Sequence, residues 1–108
     1  MEENTITLSG TILEIEEPRF APAGMPHQRF LLEHRSRQVE AGNPRIVQVK
    51  LLVEIRGELV RSAQRQVVVG QRVRVRGFLD RAGYSRSEYQ DGTTGRTVLH
   101  AQMIETSP

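Results

Sequence analysis

The sequence predicts an all-β domain of five strands with one short helix. Apolar and polar residues alternate with a period of two along five segments, which is the pattern of strands with one buried face. Turns rich in glycine and proline separate these segments, and only residues 57–66 have the length and composition of a short helix. The 108 residues leave room for one compact core, so we expect a single domain over residues 1–108.

The first strand carries its apolar residues at alternate positions: Ile6, Leu8, Gly10 and Ile12. The apolar phase then moves to Leu13 and Ile15, and a phase change of this kind predicts a β-bulge or a strong bend. Gly10 is expected where the strand coils. A loop of proline and glycine residues, 18–25, follows the strand.

The second strand is predicted over residues 28–35 and the third over 45–55, with a turn at 38–44 between them. Phe30, Leu32 and His34 share one face of the second strand. The third strand has a strong apolar face made of Val47, Val49, Leu51, Val53 and Ile55. Polar residues on its other face indicate a half-buried strand.

The fourth strand, predicted over residues 69–79, has two faces of opposite chemistry. Its apolar face consists of Val73, Val75, Gly77 and Leu79. Its other face consists of Arg72, Arg74, Arg76 and Phe78. A cationic face with one aromatic residue suits contact with nucleic acid, and the alternative is a solvated edge whose arginines prevent pairing with other sheets.

A long connection, residues 80–96, leads to the last strand, which is predicted over residues 96–105. Connections of this length in so small a domain are more often functional than passive. The last strand has apolar residues on both sides, which suggests burial from two directions, and a subunit interface is one way to achieve that. Residues 106–108 are expected to form a frayed end.

Five strands with a short helix between the third and fourth match the OB barrel, whose sheet face and loops bind oligonucleotides. A small SH3-like barrel is the main alternative. The helix between the third and fourth strands favours the OB barrel.

Charge is distributed unevenly along the chain. No basic residue precedes Arg19, whereas the segment from Arg19 onward holds all 15 basic residues and eight of the 13 acidic ones, a net charge of +7. This balance favours a polyanionic partner, and 14 of the cations are arginines, which hold phosphate bidentately. The absence of cysteine excludes disulfides, thiolate nucleophiles and cysteine-ligated zinc. We expect a cytoplasmic protein without a membrane segment.

Motifs for catalysis or cofactor binding are absent from the sequence. The three histidines, His27, His34 and His100, lie far apart along the chain without acidic residues at metal-ligand spacing, and we interpret His34 and His100 as packing or hydrogen-bonding residues of the barrel or of a subunit interface. No phosphate-binding loop and no nucleophile elbow occur. We therefore expect a binding protein with no enzymatic activity, no metal and no cofactor.

Several segments together resemble the primosomal replication protein N family, relatives of single-stranded DNA-binding protein. They are Leu8-Ser9-Gly10-Thr11, Gly24-Met25-Pro26-His27, Phe30-Leu31-Leu32-Glu33-His34-Arg35-Ser36, Glu40-Ala41-Gly42, the strand Val69 to Phe78, and Val98-Leu99-His100-Ala101. The resemblance spans nearly the whole chain. It implies a homodimeric OB-fold protein that binds single-stranded DNA and assists the replication-restart helicase and the primosome-loading proteins.

The resemblance also implies DNA-contacting positions. Basic residues of the family match Arg19, Arg35 and Arg96. Together with the basic strand faces and the long loop, the candidate nucleic-acid contacts are Arg19, Arg35, Arg45, Arg72, Arg74, Arg76, Arg81, Tyr84, Arg86, Tyr89 and Arg96. Tyr84 and Tyr89 are interpreted either as stacking residues or as ordinary loop residues that pack on the barrel.

The chain departs from the family at two positions. Better-known relatives carry aromatic residues after the Glu-Ala-Gly turn and on the third strand, where this chain has Asn43 and Gln48. Stacking one base on an aromatic ring contributes about 1–3 kcal/mol to single-strand binding, so weaker DNA binding is expected. Two hypotheses follow: a dimeric single-stranded DNA-binding protein, or mainly an adaptor that binds the helicase with weak or no DNA affinity.

Overall fold

The computed structural model describes residues 1–81 and 97–108. These residues form six strands and one helix in the order β1 (Ile6–Ile15), β2 (Arg19–Phe20), β3 (Pro26–Glu40), β4 (Asn43–Arg56), α1 (Glu58–Ser62), β5 (Arg72–Arg81) and β6 (Thr97–Thr106). Only the two-residue β2 was not predicted, because two residues are too few to show a period in the sequence.

The strands form one sheet in the order β1-β5-β6-β4-β3-β2, and an additional pairing of β1 with β3 closes it. All neighbours are antiparallel except β4 and β6, which are parallel. The result is a closed barrel of five long strands with β2 added beside β3. The predicted all-β five-stranded barrel is thereby confirmed.

The barrel interior is filled by one side chain in two from each long strand. Its fully buried residues include Ile12, Phe30, Leu32, Val53, Ile55, Val73, Val75 and Leu99. These are members of the apolar faces predicted for the five strands, because alternation along a strand places every second side chain on the inside. His34, beside this core, donates from Nδ1 to the Ser9 carbonyl at 2.7 Å, which confirms a hydrogen-bonding role for this histidine.

Strand β1 changes partner midway along its length. Its first half pairs with β5 and its second half with β3, and the register with β3 slips between Ile12 and Glu14. This bulge is the one that the phase change predicted. At Gly10, a Cβ would lie 2.2 Å from the Glu33 carbonyl oxygen, so only glycine allows β1 to pass so close to β3.

Strands β3 and β4 are longer than predicted and form a hairpin arm. The turn predicted at 38–44 is only two residues long, because Ala41 (φ 52°) and Gly42 (φ 81°) adopt the left-handed conformations of a tight hairpin turn. The far half of the arm extends beyond the core, so that Val49 is 41% and Ile46 is 53% exposed. The predicted apolar face of the third strand is therefore fully buried only at Val53 and Ile55, and Leu51 is partly buried.

The segment before β5, predicted as a short helix or two turns, contains helix α1 of five residues followed by turns, in which Ala63 and Val67 reach the core. Gly70 (φ 90°) lies in the turn through which the chain enters β5, which begins at Arg72. No helix among residues 1–81 and 97–108 is long and apolar enough to cross a membrane.

A bulge explains part of the two-sided pattern of β6. Arg76 faces Met103 and Gly77 faces Ala101, which leaves Gln102 as an extra residue on β6. Because of this extra residue, the inward-facing positions shift along β6 from odd-numbered residues such as Leu99 to even-numbered residues such as Ile104. This shift needs no second subunit. Beyond β6, the Ser107 amide donates to the Arg72 carbonyl at 2.9 Å.

Candidate nucleic-acid interface

The β3–β4 arm has one face directed away from the barrel interior, and we call it the outer hairpin face. It is made of Arg29, Leu31, Glu33, Arg35, Arg37 and Val39 on β3 with Arg56, Glu54, Leu52, Lys50, Gln48 and Ile46 on β4. Arg35 lies opposite Gln48, and Arg37 lies opposite Ile46. Both arginines are exposed, and neither pairs with a carboxylate among the residues that the structure describes.

At its barrel end, the outer hairpin face continues into a row of side chains across four strands. Register pairs Phe78 of β5 with His100 of β6, His100 with Glu54 of β4, and Glu54 with Arg29 of β3. Directly opposed residues point to the same side of a sheet, so these four side chains form one transverse row. The rings of Phe78 and His100 are stacked, with centroids 5.2 Å apart and planes 4° from parallel.

Glu54 is the buried charge of this row. Its side chain is 2% exposed, and its carboxylate accepts hydrogen bonds from Arg29 Nε at 2.8 Å and from Arg56 Nε. Burial alone raises the pKa of a carboxyl group, but the bonds from Arg29 and Arg56 outweigh this, so the pKa of Glu54 lies below its usual value. Glu54 is therefore ionised at neutral pH and holds both guanidinium groups in place.

A groove of about 670 Å³ opens over the transverse row. Its lining includes the aromatic pair, the arginines of the Glu54 cluster and residues of the first loop: Phe78, His100, Arg29, Arg56, Glu54, His27, Asp80, Arg81, Ala21 and Met25. Apolar, aromatic and charged groups thus meet in one concave site. Such a combination is typical of ligand sites in proteins.

The arginines of β5 lie elsewhere. Strands β3 and β5 run in the same direction, and the row crosses β3 near its start but β5 near its end. Arg72, Arg74 and Arg76 therefore extend from the row in the direction opposite to Arg35. Arg74 also forms an ion pair with Glu105 at 2.9 Å, and Arg72 Nε donates to the Pro108 carbonyl at 3.2 Å.

The remaining predicted contacts fall at different places. Arg45 lies opposite Gln38, on the other face of the arm from Arg35, and pairs with Glu40. Arg19 is exposed on β2 and lines a small depression. Arg29 lines both this depression and the groove. Arg81 lines the groove itself. Four predicted contacts lie outside the described residues: Tyr84, Arg86, Tyr89 and Arg96.

The sequence reasoning missed several residues of this surface. Arg37 and Lys50 continue the alternation that contains Arg35 and Gln48, so the period of two in the sequence could have identified them. Arg29, Glu54 and Arg56 carry no such signal. A lone glutamate on a strand is most often solvated, and only the pairing of β3 with β4 shows that Glu54 lies between two arginines.

Comparisons with known proteins agree with this fold. Residues 4–103 match a family described as another single-strand binding protein family. The replication restart protein PriB of Erwinia tasmaniensis is 37% identical over 105 residues, which cover 97% of this chain and 94% of that protein. PriB of Photorhabdus laumondii is likewise 37% identical over 97% of this chain and 94% of its own length.

Solved structures show the same barrel. PriB from Ralstonia solanacearum superposes with a TM-score of 0.78 at 24% identity, covering 98% of this chain and 100% of that one. A small single-stranded DNA-binding protein from Streptomyces coelicolor gives a TM-score of 0.71 at 21% identity, covering 99% and 96%. The resemblance inferred from the sequence is confirmed, and the chain belongs to the PriB family of replication restart proteins, relatives of the single-strand binding proteins.

Proposed function

We propose that the protein binds single-stranded DNA during replication restart, through the outer hairpin face and the groove at its barrel end. The observation that carries this proposal is the position of Arg35 and Arg37, two exposed arginines without carboxylate partners among the described residues, on the face that continues into the groove. OB barrels bind oligonucleotides on this sheet face. The net charge of +7 from Arg19 onward supports a phosphate-rich ligand.

Fluorescence anisotropy of a labelled single-stranded oligonucleotide, titrated at two salt concentrations, tests the proposal. Each neutralised phosphate of a single strand contributes about −0.7 to the slope of log affinity against log salt. We expect salt-sensitive binding that is tighter for the single strand than for a duplex of the same length. Binding that is absent at low salt, or equal for both forms, would contradict the proposal.

A second candidate function is that of an adaptor for the replication-restart helicase, with DNA binding secondary. Two observations favour it: the stacking positions of the family hold Asn43 and Gln48, and Val39 (70% exposed) and Ile46 (53% exposed) present apolar surface near the arm tip. Val39→Ser combined with Ile46→Ser should then weaken helicase binding in a pull-down assay. Under the first proposal alone, the same double variant leaves helicase binding unchanged.

The homodimer belongs to the same proposal. Besides the family resemblance, the supporting observation is an open strand edge: Ile6, Thr7 and Leu8 of β1 pair with β5 on one side, whereas the described pairings of β1 with β3 begin only at Thr11. An open edge can pair with the same edge of a second copy. Sedimentation equilibrium should give twice the mass of the chain, 12.3 kDa, and a monomer at micromolar concentration would exclude it.

A further inference from the structure

The aromatic pair in the groove can act as a stacking platform. Phe78 is half-buried and lines the groove, and the stacked ring of His100 fixes its orientation. His100 is itself held near Glu54, with Nδ1 3.8 Å from Oε2. With their centroids 5.2 Å apart and their planes nearly parallel, the two rings are offset, and the partly exposed Phe78 lines the groove. Aromatic surfaces of this kind bind unpaired bases without regard to sequence.

Arg56 stands at the same groove with its guanidinium group already oriented. It uses Nε to bind Glu54, which leaves its other N–H groups for a second acceptor. Its side chain is 61% exposed, whereas Arg29 on the other side of the carboxylate is 28% exposed. Arg56 is therefore the member of the cluster that a solvent-borne anion can reach. An arginine fixed in advance binds phosphate with a smaller loss of side-chain entropy.

Charge and size of the groove agree with one nucleotide. Among the described residues, its lining carries three arginines, Arg29, Arg56 and Arg81, and two carboxylates, Glu54 and Asp80. Its volume of about 670 Å³ lies within the range of small-ligand sites, which is roughly 300–1,000 Å³. The aromatic and the cationic walls belong to one groove, as a base joined to its phosphate requires.

We propose that this groove is a nucleotide subsite, in which one base of the bound strand stacks on Phe78 and an adjacent phosphate binds Arg56. The inference rests on the proposed function and specifies how the strand is held. It places the stacking ring on β5, away from Asn43 and Gln48, so the chain retains one aromatic contact although those positions lack rings. His100 and Glu54 are positioning residues, which act through Phe78 and Arg56.

A tryptophan reporter tests the stacking directly. The chain contains no tryptophan, so Phe78→Trp introduces a single fluorophore at the site. We expect a single-stranded oligonucleotide to quench its emission, because a stacked base quenches indole fluorescence. An abasic strand of the same length binds through its phosphates and should leave the emission unchanged. Equal quenching by both strands would overturn the stacking assignment.

Two further variants separate the base from the phosphate contact in the anisotropy assay. Phe78→Leu retains an apolar side chain without a ring, and it should weaken strand binding about 5- to 100-fold with an unchanged salt slope. Arg56→Gln should reduce the magnitude of the salt slope by about 0.7. Arg65→Gln removes an exposed arginine outside the groove and serves as the matched control. Thermal unfolding of each variant verifies that it is folded.

The outcomes distinguish the subsite from the proposed function. If the wild-type protein binds the strand, but Phe78→Leu binds equally well and the reporter is not quenched, the subsite is wrong and the proposed function stands. If the wild-type protein binds no strand, the proposed function fails, and a mononucleotide at millimolar concentration is then added to the reporter. Quenching by the mononucleotide supports the subsite with a free nucleotide as its source, and no quenching overturns it.

Discussion

Two cationic surfaces of this barrel differ in how their charges are placed. The arginines of β5 follow one another at alternate positions, but Arg74 is paired with Glu105 and the run leads away from the groove. The outer hairpin face has fewer consecutive charges, yet Arg35 and Arg37 are exposed and lie on the surface that ends in the groove. A surface ion pair contributes only about 0–1 kcal/mol, but a ligand must still compete with Glu105 for Arg74. The number of charges in a strand therefore does not show how accessible each of them is to a ligand.

Gly77 lies on β5 between Arg76 and Phe78, and changing this residue should have the largest effect. A Cβ there would lie 1.8 Å from the His100 carbonyl oxygen, a backbone atom that cannot move without disturbing the β5–β6 bulge. We expect Gly77→Ala to lower the free energy of unfolding by about 3 kcal/mol or more, measured by urea denaturation. Arg76→Ala, one residue earlier and exposed, should cost less than about 0.5 kcal/mol. Equal stabilities of the two variants would contradict the close approach of β5 and β6.

Glu54, which lines the groove and not the paired surface of β5, should make the free energy of unfolding depend on pH. Because its pKa is lowered in the folded state, its contribution to stability is complete above its unfolded-state pKa, about 4.3, and is lost as the pH falls through the lower folded value. Glu54→Gln should lower the free energy of unfolding by about 2 kcal/mol at pH 7, since the amide cannot neutralise Arg29 and Arg56.

The difference between wild type and Glu54→Gln should shrink as the pH falls below the unfolded-state pKa of about 4.3, because the carboxyl group then takes up a proton in the unfolded state before it does so in the folded state. Urea denaturation between pH 3 and 7 measures both variants. Glu58→Gln is the matched control, because Glu58 is 77% exposed and pairs with Arg61 only at the surface. A constant difference across this pH range would show that the charge of Glu54 is not what stabilises the cluster.

Charge reversal compares the two surfaces directly as DNA sites. We expect Arg35→Glu with Arg37→Glu to weaken single-strand binding about tenfold or more, measured by anisotropy at low salt. The matched pair Arg72→Glu and Arg74→Glu introduces the same charge on β5 and should weaken binding about two- to threefold, through long-range repulsion alone. A larger effect of the β5 pair would mean that the binding site lies on β5.

Restoring an aromatic residue on the outer hairpin face should strengthen binding by a smaller factor. Gln48 lies opposite Arg35, so Gln48→Trp places a ring beside an exposed arginine. We expect single-strand affinity to rise about fivefold, the lower end of what stacking one base contributes. Val49→Trp places the same ring on the other face of the arm and should leave the affinity unchanged. An equal gain from both variants would mean that added apolar surface, rather than the outer face, is responsible.

Local sequence patterns predicted much of the barrel. The bulge after Ile12 was recognisable because a change of apolar phase within one strand is a property of neighbouring residues alone. The buried face of β5, including Val73 and Val75, was recognisable for the same reason. The extent of the hairpin arm was not, because Val49 continues the alternation of the buried residues although the strands run past the end of the core.

The candidate site was predicted only in part. Arg35 was identified through the family resemblance, and the structure places it on the outer hairpin face. Arg45, two residues after the hairpin turn, was assigned to the same function but lies on the opposite face, since the register places it beside Gln38. A strand's own period gives the relative orientation of its residues, whereas the face that meets the ligand depends on the pairing of two strands.

The sequence by itself determined the strand faces, the all-β class, the positive charge and the family, because each of these depends on residues close together in the chain or on their order. Only the tertiary structure decided that Phe78, His100, Glu54 and Arg29 form one row beneath a groove. These four residues come from four strands, and their contact requires the register of three strand pairs at once. The pattern of one strand shows which of its side chains face inward, but not which residue of a distant strand lies opposite, so the register across the barrel came only from the structure.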